Sequence, residues 1–174
     1  MPLNPPMICS DLSLTRHSEG LRLVAYPDNG VAIGYGTHVP GIHVGDVCTV
    51  DQAEAWLIQF MNERTAILSG LIDVPVTQNQ FNAMADWFYN EYKHPGDLAS
   101  TSTLIKLVNA GDLVRAWFQL PRWQYVNNQP SGGLLARRRL EQCVWLGKEP
   151  WMDYLARVHD QMWWPANYDN PEGA

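Results

Sequence analysis

The residues of this 174-residue chain best placed to do chemistry are two carboxylates, Glu19 and Asp28, nine positions apart in Glu-Gly-Leu-Arg-Leu-Val-Ala-Tyr-Pro-Asp. Two acids that face each other across a groove without touching are what glycoside hydrolysis requires. One carboxyl, protonated in a relatively apolar surrounding, protonates the leaving oxygen, while the other stays ionised in a wetter place. On spacing alone the same pair also reads as solvated surface, so the elements around it must decide whether the two acids converge.

Leu12, Thr15, Arg16 and Glu19 recur at helical spacing behind candidate N-caps Ser10 and Asp11, and Gly20 can supply the left-handed residue that ends a helix. Glu19 is therefore expected on the last turn of a short helix. Beyond Gly20 the period becomes two, with Leu21, Leu23 and Ala25 alternating with Arg22, Val24 and Tyr26. Asp28-Asn29-Gly30 then reverses the chain into Val31-Ala32-Ile33-Gly34-Tyr35, which predicts a hairpin with Asp28 at its turn.

The run Glu19-Gly-Leu-Arg-Leu-x-x-Tyr-x-Asp28, followed by Gly30-Val-x-Ile-Gly-Tyr-Gly36, resembles the active-site signature of phage-type lysozymes, glycoside hydrolase family 24. The resemblance implies an α+β, lysozyme-like fold: a small N-terminal β-hairpin lobe joined by a long helix to a mainly helical C-terminal lobe, with a cleft between them. It implies a muramidase or endolysin that hydrolyses the β-1,4 bond between N-acetylmuramic acid and N-acetylglucosamine in peptidoglycan. In that family the Glu is the general acid, the Asp is the second carboxylate, and a Thr just before Ile-Gly helps hold the water. Glu19 and Asp28 take the first two roles. The third position is Ala32, and the turn after Asp28 is one residue shorter than the family's. Thr37 and His38, where the family has Gly-His, are the polar candidates nearby. Absence of the Thr leaves two other readings open. One is a lytic transglycosylase, in which the substrate's own 6-hydroxyl closes on the anomeric carbon; the other is a non-catalytic peptidoglycan-binding relative. Retention of both carboxylates argues against the latter. No metal or organic cofactor is implied.

The remaining elements must hold this hairpin. Thr49-Val-Asp-Gln52 is a capping box, and the apolar stripe Val50, Ala53, Leu57, Phe60, Met61, Ile67, Leu68 and Leu71 predicts one helix from 50 to about 70. It would join a small lobe of about 12–48 to a helical lobe of about 75–147 within a single lysozyme-like domain. Thr77-Gln-Asn-Gln80 is a second capping box, opening a helix through Phe81, Met84, Ala85 and Phe88. Its end corresponds to the family's Phe-Asn-Val-Gly stretch beside the cleft. That correspondence puts Tyr89 and Asn90 near bound sugar; the alternative is that the aromatics fill the core and Asn90 caps the helix. Short helices are expected over 103–110 and 113–120, the second capped by Asp112 and ended by Pro121. A polar, Gly-rich connection from Asn127 to Gly133 leads to a helix over 134–146. Its run Arg137-Arg138-Arg139 reads as a solvated face, and the family pattern Gly-Leu-x-x-Arg-Arg-x-x-Glu adds one Arg paired with an acid under the cleft. Residues 148–174 form an extension with an amphipathic helix over 151–162, followed by Trp163-Trp164-Pro165.

The formal charge of −6 disfavours a nucleic-acid partner and supplies no general attraction to an anionic wall polymer, so binding to glycan strands must come from a shaped groove. Eight Trp and seven Tyr suit that purpose, although most large aromatics in a chain this size are core. Cys9, Cys48 and Cys143 are odd in number and widely spaced, which predicts free thiols. No apolar run reaches membrane-spanning length, and the first residues lack a basic and then apolar signal pattern. The expectation is a monomer made in the host bacterial cytoplasm that reaches the periplasmic wall by holin-type release or by an injection device.

Overall fold

The computed structural model describes residues 6–147. In order these form α1 (Ser13–Glu19), β1 (Arg22–Pro27), β2 (Val31–Gly34), α2 (Val50–Leu71), α3 (Gln78–Glu91), α4 (Thr103–Asn109), α5 (Leu113–Gln119), a 3-10 turn (Leu120–Arg122), β3 (Tyr125–Val126), β4 (Gln129–Pro130) and α6 (Gly132–Trp145). The chain is thus α+β, with helices predominating. The helix expected over 151–162 lies outside the described residues.

The helix starts are local events. Thr49 accepts from the Gln52 backbone N–H while the Gln52 side chain accepts from the Thr49 N–H, and Thr77 with Gln80 does the same. Each box satisfies two backbone donors that a helix start otherwise leaves without partners. At α1 the cap shifts by one residue from expectation: Leu12 is the N-cap, and Asp11 Oδ1 takes the Ser13 N–H at 2.8 Å.

The hairpin β1–β2 is antiparallel, pairing Pro27 with Val31, Tyr26 with Ala32 and Arg22 with Gly34, with a register shift between Arg22 and Tyr26. Of the alternating residues Leu21, Leu23 and Ala25, only Ala25 is buried. The irregularity breaks the period, and a two-stranded ribbon has too little mass to cover the outer leucines.

Helix α2 is the wall shared by two hydrophobic clusters. Its Ala53 and Leu57 pack with Ala25, Ile33, Tyr35 and Cys48 in the small lobe, whereas Met61 and Leu68 enter the large cluster around Phe81, Trp87, Phe88 and Leu104. Burying a leucine of this kind stabilises by about 1.5–3 kcal/mol. Helix α3 runs through the centre of the large cluster, with every residue from 81 to 88 buried. Such a helix is enclosed on all sides. It packs most extensively against α6.

Two expectations about the last segment are corrected. The polar connection is a small hairpin, β3–β4, turned by Asn127 and Asn128 at φ 49° and 61°. Asn is the non-glycine residue that most readily takes this conformation in a two-residue turn. Helix α6 consequently starts at Gly132, capped by Ser131. The second correction is larger: Arg137 and Arg138 are 6% and 0% exposed, so two residues of the charge run are buried against α3. A run of like charges can be buried only where carboxylates meet it, and α3 and α6 supply them.

Candidate active site

Glu19 ends α1, and the chain leaves it through Gly20 at φ 67° into β1. Its Oε1 accepts a hydrogen bond from Arg137 Nη1 at 2.6 Å, with the Glu19 side chain 22% exposed. The other oxygen faces Gly36, where a Cβ would stand 3.5 Å from Oε2 and 4.0 Å from the Tyr26 hydroxyl. Gly36 also holds φ +73°, a conformation a residue with a side chain resists. The backbone therefore leaves the approach to this oxygen clear.

Arg137 is held from behind. Its Nε and Nη2 donate to Asp86 Oδ2 and Oδ1 at 2.8 and 3.1 Å, and the Thr15 hydroxyl donates to the same Oδ1 at 2.7 Å. Burial pushes the Asp86 carboxyl up, but the charge and hydrogen bonds of Arg137 outweigh it and hold it below the usual carboxylate range. Burial equally opposes the charge on Arg137, and Asp86 followed by Glu19 keeps it a cation. Three elements, α1, α3 and α6, thus meet at one guanidinium.

The second acid, Asp28, is exposed at the hairpin turn, where its N–H donates to Gly30 O at 3.1 Å. Burial raises the Tyr26 hydroxyl pKa; Asp28 and, less, Glu19 add to the rise, and Arg22 opposes it. The Arg22 guanidinium lies 4.5 Å over the Tyr26 ring. His38 stands beside the turn, its Nδ1 3.4 Å from where a Cβ on Gly30 would be. Behind the hairpin, Glu54 of α2 accepts from Arg16 Nε and Nη2 at 3.0 and 2.8 Å and from the Tyr35 hydroxyl at 2.7 Å. This ties α1, the turn that follows β2, and α2 together. The Arg16 hydrogen bonds are the main reason the Glu54 carboxyl sits below its usual range.

The other expected residues fall in different places. Ala32 is fully buried, and Thr37 is 2% exposed with its hydroxyl donating to Ile33 O at 2.8 Å. Tyr89 packs against both hydrophobic clusters, and its hydroxyl pKa is raised by burial and then by Glu19. Asn90 Oδ1 accepts from Arg138 Nη2 at 2.8 Å. Sequence reasoning named neither Asp86 nor the part played by Tyr26. The signal for Asp86 was available: it is the one acid inside the apolar run Ala83-Met84-Ala85-Asp86-Trp87-Phe88.

A pocket of about 490 Å³ opens beside Arg137, lined among others by His17, Ser18, Val126, Ser131 and Leu134. Among the described residues no group of three or more His, Cys, Asp or Glu is arranged to hold a metal ion. Cys9, Cys48 and Cys143 form no disulfide with one another.

The phage lysozyme family profile matches residues 16–141, which span both carboxylates, Asp86 and Arg137. An endolysin of Acyrthosiphon pisum secondary endosymbiont phage 1 is 39% identical over 140 residues, covering 76% of this chain and 92% of that protein. Among solved structures, an endolysin of Escherichia coli phage FAHEc1 superposes with a TM-score of 0.73 at 33% identity, covering 83% of this chain and 96% of its own. The muramidase domain of SpmX from Asticaccaulis excentricus gives 0.69 at 28% identity, covering 78% and 93%. An acid held by a buried arginine beneath a β-hairpin, in a fold shared with these proteins, shows that the chain belongs to the phage lysozyme family.

Proposed function

We propose that the protein is a hydrolytic muramidase, an endolysin, with Glu19 as general acid on the β-1,4 bond between N-acetylmuramic acid and N-acetylglucosamine. The observation that carries this reading is the division of labour at Glu19. One oxygen is held at 2.6 Å by Arg137 and the other faces the opening at Gly36. The protonated Glu19 gives its proton to the glycosidic oxygen as the bond to the anomeric carbon breaks. Arg137 then faces the carboxylate that forms. Asp28, at the exposed turn, stabilises positive charge developing on the sugar and orients the attacking water. His38 and Tyr89 flank the glycan, while Thr37 and Asn90 support it from the loop and helix behind them.

Burial of Ala32 and Thr37 favours one competing reading. Neither position offers a free hydroxyl to a water, and a lytic transglycosylase needs none because the 6-hydroxyl of the substrate is the nucleophile. Mass analysis of muropeptides after digestion of purified wall separates the two: hydrolysis leaves reducing ends and transglycosylation leaves anhydro ends. Products released by Glu19→Gln at the wild-type rate would remove Glu19 from the mechanism.

No helix among the described residues is long and apolar enough to cross a membrane. Action as a monomer, as one lysozyme-like domain with an extension over 148–174, belongs to the same proposal. So does delivery from the host cytoplasm to the periplasmic wall by holin-type release or injection.

A further inference from the structure

Three hydroxyls around the site are already committed inside the protein. Thr15 donates to Asp86 Oδ1 at 2.7 Å, Tyr35 to Glu54 Oε1 at 2.7 Å and Thr37 to Ile33 O at 2.8 Å. The Tyr26 hydroxyl differs from these, having no hydrogen-bond partner among the described residues. Its side chain is half-buried, with an apolar ring to pack and a polar tip that can both donate and accept. Such a tip is left to water or to a ligand.

One point on the wall of the site fixes where this hydroxyl stands. An atom placed where Gly36 would carry a Cβ is 3.5 Å from Glu19 Oε2 and 4.0 Å from the Tyr26 hydroxyl. A ligand atom there touches both oxygens. Gly36 keeps the point open, and its φ of +73° opposes any side chain that would fill it.

The ring is held in this place by the hairpin. Its backbone pairs with that of Ala32, a fully buried residue of β2. The Arg22 guanidinium covers one face of the ring, 4.5 Å from its centroid. Both contacts come from strands, which position a group more tightly than a loop does.

We propose that Tyr26 is a substrate-positioning residue: its hydroxyl pairs with a hydroxyl of the leaving N-acetylglucosamine beside the scissile oxygen, and so holds that oxygen against Glu19 Oε2. On this sugar the bridging oxygen sits on carbon 4, flanked by the free 3-hydroxyl on one side and the hydroxymethyl arm on the other. When the bridging oxygen meets Glu19, one of these two groups faces the neighbouring phenol. Burial raises the phenol's pKa, Asp28 adds to the rise and Arg22 only partly opposes it, so the hydroxyl keeps its proton and serves as donor or acceptor. The assignment rests on Glu19 being the general acid, so one readout must need no turnover.

The experiment uses the full chain with Tyr26→Phe, which keeps the ring, the strand and the Arg22 contact and removes one oxygen. Soluble glycan strands prepared from purified wall are titrated by calorimetry into Glu19→Gln and into the double variant Glu19→Gln with Tyr26→Phe. Wall lysis and thermal midpoints are compared between wild type and Tyr26→Phe. Loss of one neutral hydrogen bond should weaken strand affinity about three- to tenfold and lower kcat/KM by a similar factor, with the midpoint moving by less than about 1 °C. Unchanged affinity would overturn the proposal whatever the activity. So would an affinity loss accompanied by a midpoint several degrees lower, which is what a hydroxyl that only maintains the fold predicts. A Glu19→Gln chain that clears wall as wild type does fails the assignment of the acid instead, and the two failures are distinguishable because the effect of Tyr26→Phe is read from binding.

Discussion

Replacing Arg137 by Leu removes the cation at the centre of the site and leaves its partner behind. Asp86 is 2% exposed and accepts two hydrogen bonds from that guanidinium, at 2.8 and 3.1 Å. Breaking a buried ion pair by removing one member costs about 3–5 kcal/mol, because the remaining charge is stranded. A domain's entire stability is about 5–15 kcal/mol. At about 2–4 °C per kcal/mol for a chain of this size, the thermal midpoint should fall by about 6–20 °C. The pH dependence follows from the direction of the Asp86 shift. In wild type its folded value is depressed, so its contribution is present above the ordinary aspartate value and is lost as pH falls through the folded one. In Arg137→Leu the depression disappears and burial raises the carboxyl, so the deficit against wild type should shrink from pH 7 to pH 5. Urea unfolding followed by tryptophan fluorescence at both pH values measures this. The double variant Asp86→Asn with Arg137→Leu should recover part of the loss, since a neutral amide costs less to bury than a lone carboxylate. A loss under about 1 kcal/mol at pH 7, or a deficit that grows on acidification, would refute the reasoning.

Glu19→Gln should lower wall lysis by about 10²–10⁴-fold, the usual worth of a general acid, with a thermal midpoint within a few degrees of wild type; turbidity clearing and calorimetry measure the two. Ala32→Thr would place the Thr that the resemblance to the family signature implies, but it must enter a fully buried site, so it should cost about 1–3 kcal/mol in chemical unfolding and leave hydrolysis no faster. A faster Ala32→Thr enzyme would mean that position 32 reaches the groove. Gly36→Ala should reduce kcat/KM and destabilise the fold by about 1–2 kcal/mol, because it forces a side chain into left-handed backbone and sets a methyl against Glu19 Oε2.

Much of the scaffold was legible because its causes are local. The capping boxes at Thr49 and Thr77 and the Asn29-Gly30 turn each act within a few residues, and each appears in place. The Asn127-Asn128 turn has the same local cause but reads as loop in the sequence, because two-residue strands leave no measurable period. Leu21 and Leu23 alternate with Ala25 yet stay exposed. Alternation reports which face a residue takes, whereas burial requires something to pack over that face, and the small lobe has nothing there.

What the sequence determined by itself is the pair of carboxylates, their places at a helix end and a hairpin turn, and the family they resemble. The charge run on α6 shows what it could not determine. Arg137-Arg138-Arg139 has the composition of a solvated face, yet Arg137 meets Glu19, 118 residues away in the chain, and Asp86, 51 residues away. Whether a charge is exposed or buried depends on whether an opposite charge arrives at the same point, and that is a property of packing between α1, α3 and α6. Tertiary structure alone decided which arginine holds the acid, because a helix period assigns directions to side chains but names no partner for them.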